Sequence, residues 1–524
     1  MVNLPKVIEK KFVVTKGVDK ILESSMSLFG TDMNRATHYN TIEDIQLSRA
    51  KVHNALFSLD RSLYGCIACL PGTTDTTKMF SVSRLLAAQW NEDDKPILTV
   101  DHERKIIDHL VSTLPPNRML NLFNSFSTTK INNARMRKTV LPFILNSSSL
   151  EWWSVKYRKK LKNVLIHCWG KRMASVIEKI LWKTNKTEKE FSILNQNITK
   201  YLVTSNTALV QECIAFVFEA LEPTRYVAPL FKKYYNARHD FKEAEGLPKE
   251  VIEGIRTTFH PKVDKAETLK VAEKSMTVKE KRLVQNQAKK SDVKVEWDPI
   301  KQPLVELFVY GFKMGFDSKV KGAINSKATV AAKTLPFNYK YIGILCDDSF
   351  SMSGSSDQKL KALAINYATC KMLQQFGSKT ITSCVSDRTF NITNKPAGGT
   401  NLAKPFVSLL KHNPDAIFIV SDGYENAPEG RFNEVLKIAK DKLKIDIPIY
   451  HFNPVIAAES KTAAKKLSDD IVVTPVTNPE KMGLGLIKTL ISTDPKSGIL
   501  ELFNLVLPKL EKTKQLYARK AIGR

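Results

Sequence analysis

From Tyr341 onward short apolar runs alternate with helical stretches, and that alternation leaves few folds open to the chain. Ile342 to Cys346, Thr380 to Ser386, Ala416 to Ser421, Ile447 to Phe452 and Ile471 to Pro475 read as strands. Between them Lys359 to Phe376, Asn401 to Lys411, Phe432 to Leu443 and Lys461 to Leu467 read as helices, and Gly483 to Ser492 closes the pattern. Strands separated by helices must pair in parallel, because a crossover helix returns the chain to the same end of the sheet. Residues 341–492 are therefore expected to form a doubly wound α/β domain.

The region before it has another period. From about residue 20 to 290 apolar residues recur at helical spacing, as in Lys105 to Leu114 and Thr207 to Leu221, with few alternating β-branched runs. Short polar turns at Leu114 to Pro116, Asn146 to Ser149 and Thr184 to Lys186 suit stacked helical pairs. Glycine, 21 residues of 524, is scarce for a turn-rich β protein. The expected organisation is multidomain: an all-α, helical-repeat region over 1–340, the α/β domain over 341–492, and a basic helical extension over 493–524. Residues 240–297 mix Lys and Glu closely and read as a solvated face or connector.

Two features carry chemistry. The first lies at the carboxyl edge of the expected sheet, where open α/β folds bind ligands. The first strand runs into Asp347, Asp348, Ser349, Phe350 and Ser351; Ala397 to Thr400 (Ala-Gly-Gly-Thr) precedes a helix; and Ser421, Asp422, Gly423 follow a strand. Three loops thus offer short carboxylate and hydroxyl side chains, the hard oxygen donors that Mg²⁺ takes at roughly 2.0–2.1 Å. Each fragment alone also reads as a helix cap or a turn. In this order and at these places they resemble the metal-ion-dependent adhesion site of von Willebrand factor type A domains. The resemblance implies that Asp347, Ser349, Ser351, Thr400 and Asp422 ligate Mg²⁺ or another divalent cation, directly or through water. Phe350 stands where that motif has a small residue, and Asp348 adds a second acid.

The second feature is charge. Eighty Lys and Arg against 53 Asp and Glu leave a net +27, which favours a polyanionic partner. Lys130 to Arg172 concentrates eleven cations against the single acid Glu151: Lys130, Arg135, Arg137, Lys138, Lys156, Arg158, Lys159, Lys160, Lys162, Lys171 and Arg172. As one helix over 151–172, the segment would turn Tyr157, Leu161, Val164 and Cys168 toward a core and leave Lys156, Lys159 and Lys162 to meet phosphates. Trp152, Trp153, His167 and Trp169 are candidates for stacking on unpaired bases. The competing reading is a solvated face with core tryptophans.

This segment resembles the TROVE domain, the module of the Ro autoantigen family. Arg137 to Val140, Leu150 to Trp153, Lys156-Tyr157-Arg158 and the Leu165-x-His167 pair carry the likeness, with Trp297, Asp298 and Pro299 as a later echo; Lys159 to Asn163 replaces a Gly-Trp-Ser-His stretch. The order of helical region and type A domain is also that of Ro proteins. The resemblance implies a ring of HEAT-like repeats that holds small noncoding or misfolded RNA. Arg135, Arg137, Lys138, Lys156, Arg158, Lys159, Lys160, Lys162, His167, Lys171 and Arg172 would be its contacts, with a protein partner at the metal site. The other class open is an assembly scaffold that acts through the type A domain without RNA.

The remaining signals exclude rather than point. Seven thinly spread cysteines make no disulfide framework, and Cys66-x-x-Cys69 lacks a second pair at zinc spacing. No Walker A loop, Gly-x-Ser-x-Gly elbow or His-Glu-x-x-His occurs, so no enzymatic activity is expected. Without a membrane-length apolar run or a signal-peptide pattern, a cytoplasmic protein without a membrane partner is expected.

Overall fold

The computed structural model describes residues 16–32, 41–90, 96–182, 188–203, 207–219, 221–284, 288, 293–296, 298, 301–333, 335, 339–354, 359–454 and 467–513. Helices come first: α1 (Lys16–Thr31), α2 (Ile42–Leu59), α3 (Arg61–Ala68), α4 (Asp75–Ala87), α5 (Val100–Ser112), α6 (Pro116–Thr128), α7 (Ala134–Leu145) and α8 (Leu150–Lys156). They continue as α9 (Arg158–Trp169), α10 (Lys171–Trp182), α11 (Glu188–Thr199), α12 (Thr207–Phe218), α13 (Pro229–Asn236), α14 (Lys249–Phe259), α15 (Lys265–Ala272), α16 (Val278–Leu283), α17 (Leu304–Met314) and α18 (Ser318–Ala332). Then strands and helices alternate: β1 (Tyr341–Cys346), α19 (Lys361–Leu373), β2 (Lys379–Cys384), α20 (Ala403–Leu410), β3 (Ala416–Val420), α21 (Arg431–Asp441), β4 (Ile449–Asn453), β5 (Val473–Pro475), α22 (Gly483–Thr493) and α23 (Pro495–Lys512). The expected fold class, helical first and α/β second, is the one observed. The helix expected over Lys461 to Leu467 falls almost wholly outside the described residues, as do Trp297, Pro299 and the end of the basic tail.

The five strands pair in parallel in the order β2-β1-β3-β4-β5. Alternation along each strand divides the core in two. Ile342, Ile344, Cys346, Phe418 and Val420 face α17, α18 and α19, where Leu307, Phe308, Ile324, Leu363 and Tyr367 are buried. Leu345, Ile417 and Ile419 face Phe406 and Leu409 of α20 and Phe432 and Leu436 of α21. Cover on both faces is why the central strands β1 and β3 read as unbroken apolar runs, whereas the edge strand β2 is only partly buried. The order reverses between β1 and β3, and the carboxyl ends of those two strands form the switch point at which such sheets bind ligands.

The chain divides into two compact units that do not follow sequence order. One comprises residues 1–81, 91–103 and 299–510; the other comprises 82–90, 104–298 and 511–524. The N-terminal helices thus share a unit with the sheet. In that unit α1 packs on α22 and β5, and the amide of Leu484 donates to the carbonyl of Pro71 at 2.8 Å. An exposed edge strand is open to pairing with another chain, and this cover removes part of β5 from that risk. Two buried, bidentate pairs brace the same unit: Arg49 to Asp32 at 2.7 and 2.6 Å, and Arg61 to Glu103 at 2.6 and 3.0 Å. The other unit is helical, with α6 against α9, α8 against α12 and α13, and α9 against α10.

Candidate metal centre and nucleic-acid interface

The loops after β1 and β3 and the loop before α20 converge. Ser349 is the hub: its hydroxyl donates to Asp347 Oδ1 at 2.6 Å, so the Oγ contacts with Thr400 at 2.9 Å and Ser351 at 3.1 Å are ones it accepts. The other oxygen of Asp347 accepts from the Ser421 hydroxyl at 2.6 Å. Asp422 is buried next door, its Oδ1 accepting the amide of Tyr424 at 3.0 Å. Burial, and then the charge of Asp422, push the Asp347 carboxyl up to about 6. The five residues proposed from sequence as ligands are brought to one place.

Their support was largely invisible in sequence. Asn366, in the middle of α19, donates to the carbonyl of Asp347 at 2.5 Å and to that of Val420 at 3.1 Å, tying the ends of β1 and β3 together. Asn426 Oδ1 accepts the Thr400 amide at 2.7 Å, and Asn453 donates to the Asp422 carbonyl at 2.8 Å. Ser421, adjacent to Asp422, was the one helper a motif search could have flagged. Phe350 is tolerated between the two serines because its ring points outward, 65% exposed, while its amide donates to Gly398. Asp348 is not a further ligand candidate. It is wholly buried and turned away, accepting from the amide and hydroxyl of Ser386 and pairing with Arg388 at 2.9 Å.

These donors fit a hard cation. All are oxygens, and among the described residues neither Asp347 nor Asp422 forms an ion pair, so the two buried carboxylates lack a protein counter-charge. Among the described residues no group of three or more His, Cys, Asp or Glu is placed to hold a metal, so any centre here relies on hydroxyls as well as carboxylates.

The basic segment is rearranged relative to its sequence reading. Residues 151–172 are not one helix: the chain breaks at Tyr157, between α8 and α9, and at Gly170, whose φ of 86° is left-handed. Leu161, Val164 and Cys168 are buried as expected, while Tyr157 is half-buried. Two of the expected RNA contacts are held within the molecule. Lys156 pairs with Glu250 at 3.0 Å and Glu280 at 3.8 Å, and Arg158 pairs with Glu219 at 2.7 Å. Lys162 lies over the ring of Phe218, 5.3 Å from its centroid. Those acids stand far along the chain, Glu250 and Glu280 in the Lys- and Glu-rich stretch, so a local charge count misses them.

Arg135 donates to the carbonyl of Ala88 at 3.0 Å and Arg137 to Asn132 at 2.7 Å. His167 Nε2 contacts the carbonyl of Ile131 at 2.8 Å and Asn132 the carbonyl of His167 at 3.4 Å, which joins the turn before α7 to the end of α9. Lys160 donates to Asn117 at 2.5 Å. Lys130, Lys138, Lys159, Lys171 and Arg172 are exposed and have no ion-pair or side-chain hydrogen-bond partner among the described residues. Glu151, the segment's own acid, does not cancel them: it caps α13, accepting the amide of Leu230 at 2.8 Å. Of the proposed stacking residues, Trp153 is a core side chain stacked on Phe143, and Trp152, Trp169 and His167 are half-buried.

All seven cysteines are free and buried, and burial raises the thiols of Cys66 and Cys69, which suits packing rather than chemistry. Among the described residues no helix is long and apolar enough to cross a membrane.

Fold and site define a two-unit protein: a basic helical unit, and an α/β unit with an oxygen cluster at its sheet switch point. No family model and no curated protein matches the chain. Among solved structures it aligns with the crystal structure of the Deinococcus radiodurans Ro (RSR) protein over 89% of this chain and 99% of that one, at 13% identity and a TM-score of 0.38. So loose a likeness carries no functional weight, which rests on the residues instead.

Proposed function

We propose that this protein belongs with the Ro family and holds small noncoding or misfolded RNA on its helical unit, while the sheet edge binds Mg²⁺ or another divalent cation and recruits a protein partner. One observation carries the RNA reading: Lys130, Lys138, Lys159, Lys171 and Arg172 remain exposed and unpaired among the described residues, in a segment whose only acid is engaged elsewhere. Cations left without internal partners are available to phosphates, and release of condensed counterions then drives association. The metal reading is supported by the two buried carboxylates, which have no ion-pair partner among the described residues, and by the hydroxyls around them. Asp347, Ser349, Ser351, Thr400 and Asp422 would hold the cation, which when bound supplies a positive charge able to accept a partner's carboxylate.

The RNA reading is tested by purifying the full chain from its native host and comparing it with a Lys171→Glu, Arg172→Glu variant. Nucleic acid that copurifies with the first and falls at least about tenfold with the second supports it. Wild-type protein that emerges free of nucleic acid, and binds no added structured RNA, contradicts it and leaves the scaffold reading.

A further inference from the structure

A cleft of about 700 Å³ opens in the helical unit where α8 breaks into α9. Tyr157, Tyr234 and Phe259 bring aromatic rings to it, Lys159 and Lys160 bring cations, and Gly254 of α14 belongs to its wall. The volume lies in the range of small-molecule sites.

The rings are held in place by neighbours. The Arg238 guanidinium lies 4.9 Å from the centroid of Tyr234 and 5.4 Å from that of Phe259, and Arg158 lies 5.7 Å from Tyr234. Phe259 nevertheless remains 45% exposed, a large apolar face left to solvent at the end of α14. The cations divide by role. Lys156 and Arg158 are occupied by Glu250, Glu280 and Glu219, whereas Lys159 has no partner among the described residues and Lys160 touches only the neutral amide of Asn117 and the ring of Tyr157.

An apolar aromatic wall beside two available ammonium groups matches a planar base joined to a phosphate. We infer that this cleft takes one nucleotide, its base against Tyr157 and Phe259 and its phosphate toward Lys159 and Lys160, presented as an unpaired nucleotide of a bound RNA. This rests on the RNA-binding reading and adds to it a pocket for a single unstacked residue.

Gly254 supplies a test that leaves the cations alone. A Cβ built there meets nothing within 4 Å, so Gly254→Leu projects into open space and, in mid-helix, does not weaken α14. The full chain and this variant are titrated with hexauridylate, with a blunt RNA duplex and with adenosine monophosphate, and circular dichroism checks that the variant is folded. The inference expects hexauridylate affinity to fall at least about tenfold in the variant while duplex affinity is unchanged. Unchanged hexauridylate affinity overturns it. Binding of adenosine monophosphate that the variant loses, with hexauridylate unaffected, overturns the RNA source in favour of a free nucleotide. If the wild-type chain binds neither duplex nor hexauridylate, the broader RNA reading fails as well.

Discussion

At the scale of single residues, the strongest constraints are buried charges, because each must be paired or shift its protonation. Arg388 holds Asp348, which is wholly buried. Arg388→Ala is therefore expected to destabilise the fold by about 2–3 kcal/mol in denaturant titration, even though Ser386 still donates to the carboxylate. Asp108 of α5 is the opposite case. It is 3% exposed, one oxygen has no hydrogen-bond partner, and burial pushes its carboxyl up to about 7. A carboxyl raised in the folded state stabilises most below its unfolded value near 4, and that contribution is lost as pH rises toward 7. Asp108→Asn should flatten this fall and gain roughly 2–4 kcal/mol at pH 8, read from urea midpoints across pH 4–8. At Asp347 and Asp422, millimolar Mg²⁺ should raise the Tm of the wild-type chain, and Asp422→Ala should abolish the rise; equal Tm with and without Mg²⁺ in wild type would remove the metal from the account.

At the scale of elements, the sheet was legible because its central strands β1 and β3, covered on both faces, carry an apolar signature, while the edge strand β2 stood out by its β-branched Thr380, Ile381 and Thr382 between helices. Each observed strand falls within about two residues of its sequence reading, as Lys379–Cys384 does against Thr380 to Ser386. The ligand loops were legible for a related reason: Asp-x-Ser-x-Ser, Gly-Gly-Thr and Ser-Asp-Gly each sit directly on a strand end or before a helix. Asn366 was not, since an asparagine inside a helix announces nothing until the ends of β1 and β3 are placed beside it. The break at Tyr157 was missed because Lys156 and Arg158 are good helix formers, and Gly170 was the available signal for the second break. Close approach of elements is equally silent in sequence. A Cβ at Gly485 would lie 2.3 Å from Cγ2 of Thr474, so Gly485→Ala should push α22 off β5 and cost about 1–3 kcal/mol in thermal or chemical unfolding.

At the scale of the whole molecule, a net charge of +27 says that a polyanion is favoured but not where it sits. Sequence spread the interface over Arg135 to Arg172, Lys156 and Arg158 included; the structure pairs Lys156 with Glu250 and Glu280 and Arg158 with Glu219, residues that no count over Lys130 to Arg172 includes. The grouping of residues 1–81 with the sheet was likewise unreadable, because it depends on contacts between segments some 400 residues apart, such as Pro71 with Leu484. What survives is a set of cations on the helical unit that are unpaired among the described residues, with Lys171 and Arg172 adjacent at the start of α10. The salt dependence of RNA binding tests that set directly. The dissociation constant for a structured small RNA, followed from 50 to 200 mM salt, should give a steep log–log slope that becomes shallower by about 1.5–2 in Lys171→Gln, Arg172→Gln, one phosphate contact being lost per residue. A slope and affinity identical to wild type would contradict the placement of RNA on this surface.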